Sequence, residues 1–156
     1  MKKYLSAITL LMIFAVTLLS ACGSGSAGAI EKRWEIRLPN DMTELYHADS
    51  WGWFGDGDAY TVFTPKAFTA EYFQQFANGK YEGYAEADGS AWFTAFEAAV
   101  SELAEGLQVP YDYLPDFSGK YFVGNCADGE EVPTLAGVSI LWTPNDGRII
   151  VIERRS

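Results

Sequence analysis

Thiols and imidazoles are scarce in this chain: among 156 residues there are two cysteines, Cys22 and Cys126, and one histidine, His47. That scarcity rules out a multi-disulfide framework. It also leaves a zinc site short, because His47 with Asp49 offers two ligands where three or four are needed. A Cys/His nucleophile pair would have to come from Cys126 and His47, at no suggestive spacing, so Cys126 reads as a buried or inert thiol. Positive charge is also in short supply. Eleven Lys and Arg stand against 21 Asp and Glu, for a formal net charge of −10. The basic face that phosphate backbones require is missing, and nucleic acid is not an expected partner. No internal repeat is present. The one long apolar run, Leu5 to Leu19, is about 15 residues, somewhat short of the roughly 20 a transmembrane helix needs.

What is present at the N-terminus is an export address. Met1-Lys2-Lys3, the apolar run and a small-residue region form the order of a secretory signal. The run ends in Leu19-Ser20-Ala21-Cys22, which resembles the lipobox of bacterial lipoproteins. The resemblance implies cleavage before Cys22, a diacylglycerol thioether on its thiol, and acylation of the new amine. Two or more long chains, at about 0.8 kcal/mol per buried methylene, hold a protein on a membrane where one chain is marginal. The resulting boundaries are a signal peptide over 1–21, a flexible Gly/Ser/Ala tether over 22–30 and a single domain over 31–156. The expected location is the outer side of a bacterial cell membrane, or the outer membrane if the host has two, since Gly23 is not the Asp that retains lipoproteins at an inner membrane. Cleavage removes Lys2 and Lys3 and no acid, taking the charge from −10 to −12. The domain is then expected to be repelled by anionic lipid and held by its acyl chains alone. Lipidation of Cys22 would leave Cys126 without a disulfide partner, so stability must come from packing, to which the aromatic residues contribute, 24 in the full chain and 22 after loss of Tyr4 and Phe14 with the leader.

Along the mature chain, "RWEIRL" from Arg33 alternates apolar and charged and reads as a half-buried strand ended by Pro39. "TELYHA" and "AYTVF" read as two further strands, joined by a hairpin connection, "SWGWFGDGD". Thr64-Pro65 is expected to open a helix bearing Phe68, Tyr72, Phe73 and Phe76 on one face and ending at Gly79. Ser90 is expected to cap a second, with a stripe of Phe93, Phe96, Val100, Leu103 and Leu107, bounded by Gly106 and Pro110. "KYFVG", "GVSILW" and "RIIVIE" read as strands, the last two joined by the turn "TPNDG". This order predicts an α+β fold, a mostly antiparallel sheet of about five strands with two helices packed on one face.

Sites of chemistry are thin. Ser139 in "GVSIL" lacks the second glycine of a nucleophile elbow, and a lone His must serve any triad. Asp49, Asp56 and Asp58 do not match a calcium loop and read as turn formers. No metal, no cofactor and no catalytic activity are expected. The candidate ligand-binding residues are Trp51, Trp53 and Phe54, which either close the end of the core or, if exposed, stack on sugar rings or another protein. The region from Leu38 to Phe63, two helices and the closing hairpin are also similar to small uncharacterised lipoproteins of Gram-positive bacteria. Asp49-Ser50 and Gly55-Asp56-Gly57-Asp58 fit their pattern, while Trp51 and Trp53 replace their His and Gly. That resemblance implies the fold and the location and no chemistry. The expectation is a lipid-anchored, non-enzymatic accessory or binding domain, with wall polysaccharide or a protein as partner. The alternative is a proteinaceous inhibitor or immunity factor against a cationic envelope hydrolase.

Overall fold

The computed structural model describes residues 25–67, 84–125, 135 and 137–155. Its strands are β1 (Met42–Asp49), β2 (Gly57–Pro65), β3 (Tyr84–Glu86), β4 (Phe122–Asn125), β5 (Gly137–Thr143) and β6 (Arg148–Arg155). The helices are α1 (Ser26–Trp34) and α2 (Ala91–Gly106), with a 3-10 turn at Tyr111–Tyr113. The six strands make one sheet in the order β1-β2-β6-β5-β4-β3, and every pairing is antiparallel. The α+β class and the antiparallel sheet therefore hold.

The centre of the sheet is apolar on both faces, so β5 and β6 read as continuous hydrophobic runs rather than alternating ones. Alternation sorts them all the same. Phe63, Val138, Ile140, Trp142, Ile149 and Val151 face one side, where they meet Ile30, Ile36 and Leu38. Tyr60, Val62, Leu141, Ile150 and Ile152 face the other, where α2 lays Phe93, Phe96, Val100 and Leu103 across them. The stripe expected on α2 is thus the stripe that packs. Ser90 sits at its N-cap with no side-chain capping bond, and the helix stops at Gly106. Thr64 and Pro65 do not open a helix: both belong to β2, paired with Thr43 and Met42, and a bend follows at Lys66 and Ala67. The rest of the helix expected there, from Phe68 through Phe76, together with Cys22 and Cys126, lies outside the described residues.

Two further expectations are corrected. Residues 22–30 do not form a tether throughout, because α1 already begins at Ser26 and Ile30 is fully buried. Ala27, Ala29 and Glu31 favour a helix, Lys32 and Arg33 suit its C-terminal end, and Glu35 stops it in the left-handed region. A nine-residue helix is marginal by itself, so burial of Ile30 against the sheet is what holds it. "RWEIRL" is not a sheet strand either. Trp34 belongs to α1, and Ile36 and Leu38 cover the core from an extended segment whose Leu38 amide donates to Glu31 Oε1 at 2.7 Å. The outer strand place opposite β1 is taken instead by β3, three residues too short for periodicity to reveal.

Candidate contact surface at the β1/β2 hairpin

Ser50 to Asp56 connect β1 to β2 as the sequence suggests. The base is closed by Ser50 N donating to Asp58 O at 2.8 Å and Gly52 N to Asp56 O at 2.7 Å. Gly57 is required here. Its φ of +137° lies where side chains are strained, and an added Cβ would sit 2.7 Å from Ser50 O. The acids do not all act as expected. Both carboxylate oxygens of Asp58 accept from one edge of the Arg154 guanidinium, from Nε at 2.8 Å and Nη2 at 3.1 Å, and Asp49 Oδ1 rather than the Asp58 carboxylate accepts from a loop amide, that of Trp51 at 3.4 Å. The Asp58 hydrogen bonds raise the Arg154 pKa above its already high ordinary value and keep the guanidinium charged.

The three candidate aromatics separate. Trp51 is half-buried, with the Arg33 guanidinium 4.4 Å above its ring. Trp53 and Phe54 are 102% and 97% exposed, at the apex, with no side chain covering them. Neither closes the core. Beneath the hairpin lies a residue that the sequence reading passed over. Glu153 is fully buried on the α1 face, and its Oε2 accepts a short bond from Arg33 and another from Trp34 Nε1 at 2.6 Å. Its Oε1 has no hydrogen-bond partner among the described residues. A chain of contacts thus runs from β6 through Arg33 to the indole of Trp51. One signal for it was in the sequence, since Glu153 keeps the inward phase of Ile149 and Val151 along β6.

His47 and Asp49 do come together. His47 Nε2 lies 2.9 Å from Asp49 Oδ2 and Nδ1 lies 2.8 Å from Thr61 Oγ1, an acid, an imidazole and a hydroxyl in sequence. Thr61 is fully buried in β2, so its hydroxyl cannot meet a substrate. Register and alternation put this trio on the α1 face. One cavity among the described residues, about 320 Å³ and lined by Val100, Ala104, Val109, Leu114 and Phe117, is on the opposite face. Ser139 is buried there as well, with its hydroxyl unpartnered among the described residues. Among the described residues no three His, Cys, Asp or Glu converge as metal ligands, and no helix is long and apolar enough to cross a membrane.

With this arrangement in hand, comparison with protein families, with curated proteins and with solved structures returned no match.

Proposed function

We propose that the chain is a lipid-anchored bacterial envelope protein, acylated at Cys22 after loss of residues 1–21, whose domain works by contact rather than catalysis. The observation that carries the second half of this reading is the pair Trp53 and Phe54, wholly exposed at the tip of a hairpin whose base is clasped by Asp58 and Arg154. Exposed aromatics on a braced turn are what a contact site needs, because such rings supply large area at little entropic cost. The buried hydroxyls of Thr61 and Ser139 support the non-enzymatic half.

Two measurements test it. Intact mass of protein from its native host should show a chain beginning at an acylated Cys22; a free thiol or an uncut leader refutes the anchor. Acrylamide quenching should find Trp53 shielded in native envelopes and open in detergent; equal access in both refutes the contact. The charge of −12 left after leader removal favours a second reading, inhibition of a cationic hydrolase. That complex would form with a lysozyme-type enzyme at low salt and dissociate as ionic strength shortens the Debye length.

A further inference from the structure

The position of the first helix fixes where the anchor meets the domain. Ser26 donates to Glu44 Oε2 from both its backbone amide, at 3.1 Å, and its hydroxyl, at 2.6 Å. Glu44 belongs to β1, which among the described strands pairs only with β2 and so forms an edge of the described sheet. Four residue steps separate Ser26 from Cys22, a reach of at most about 14 Å at 3.3–3.6 Å per residue. An acyl group on Cys22 therefore holds the bilayer close to the β1 edge.

Along that same edge lie three of the four exposed large hydrophobic side chains among the described residues, Leu45, Trp53 and Phe54; the fourth, Tyr111, is on the 3-10 turn. Leu45, 39% exposed, stands at the register shift between Glu44 and Tyr46. Four residues further along β1, about 13 Å by strand rise, the strand reaches Asp49 and the turn that carries Trp53 and Phe54. Anchor, Leu45 and aromatic tip therefore follow one line. The tip is also convex. No wall surrounds Trp53 or Phe54, so a partner needs no complementary pocket, a condition that a fluid bilayer interface meets and that tryptophan favours.

We propose that the domain lies side-on against the membrane in which its own lipid is anchored, with the β1 edge facing the surface and Trp53 and Phe54 inserted among the headgroups of the outer leaflet. This rests on the anchoring reading above and names the partner of the hairpin. The acyl chains supply the hold, and the aromatic tip sets the orientation. Asp41, Glu44, Asp49 and Asp56 lie along or beside this edge, with His47 and Lys66 as nearby bases and Arg155 beside the turn, while Arg33 and Arg154 are each paired with an acid, Glu153 and Asp58. The contact accordingly favours zwitterionic over anionic lipid.

The test uses the full acylated chain in vesicles of phosphatidylcholine with brominated acyl chains, against the unbrominated lipid. Five tryptophans emit, so quenching confined to Trp53 should remove roughly one fifth of the signal. Trp53→Phe should abolish the bromine-dependent loss, and Trp92→Phe, on the opposite sheet face, should keep it. Replacing about a third of the lipid with phosphatidylglycerol should weaken it. Vesicles that float with the chain yet leave its emission unquenched overturn the side-on arrangement and leave the anchor standing. Quenching that persists in Trp53→Phe overturns it too, as does a Trp53 that responds only to added wall polysaccharide. A chain with a free Cys22 thiol that fails to float overturns the anchor and this inference together.

Discussion

Replacing Arg33 by Leu removes one of two donors from a carboxylate with no access to water. Glu153 is 0% exposed, and its described partners are Arg33 and the Trp34 indole. Breaking a buried pair by removing one charge costs about 3–5 kcal/mol, because the other charge is left uncompensated. The Arg33 side chain is itself 29% exposed, so water can enter where the guanidinium was and the cost falls to the lower end, about 3 kcal/mol. Loss of the cation–π contact with Trp51 adds about 0.5–1 kcal/mol. With a urea slope near 2 kcal/mol/M, the unfolding midpoint should fall by about 1.5–2 M. Removing both charges is different. Arg33→Leu with Glu153→Leu leaves no uncompensated charge, only the half-buried Trp34 Nε1–H without its acceptor, and should recover to within about 1.5 kcal/mol of the wild type. Urea titration followed by tryptophan emission measures all three. A single variant within 0.5 kcal/mol of wild type, or a double no better than the single, refutes the description of Glu153 as a carboxylate held by α1.

Three further outcomes are expected. Gly57→Ala should lose about 1–3 kcal/mol by urea titration, since it forces a side chain into a left-handed backbone 2.7 Å from Ser50 O. Trp53→Ser with Phe54→Ser should leave stability within about 0.5 kcal/mol, because nothing covers either ring; a larger loss would place them in the core after all. Burial holds the Tyr60 phenol well above its ordinary value of 10.0, while its hydroxyl donates to Tyr113 O at 2.9 Å. The folded state keeps this proton after the unfolded chain has released it. Its contribution is therefore complete below pH 10.0 and declines as pH rises beyond that, by about 1.4 kcal/mol per pH unit. Tyr60→Phe should make the alkaline fall in stability shallower by that slope, as read by urea titration at pH 9 to 11.

Much of the fold was legible because the signals are local. β1, β2, β5 and β6 have the β-branched and aromatic content of strands, the turn before Arg148 has the residues a hairpin turn needs, and α2 repeats its apolar residues at helical spacing. The region from Ser26 to Leu38 was misread for a physical reason. Its helix is nine residues long and poor in large apolar side chains, and it exists because Ile30 finds the sheet and Ser26 finds Glu44, partners supplied from elsewhere in the chain.

The same division runs through the candidate site. Sequence alone determined that aromatics and glycines share the turn after Asp49, since composition is a local property. It could not determine which ring would be covered. That was decided when α1 brought Arg33 over Trp51 and left Trp53 and Phe54 outside, an outcome set by the buried carboxylate of Glu153, more than a hundred residues away in the chain. Which side chains meet across a sheet depends on register and on what packs above it. Only tertiary structure holds that information.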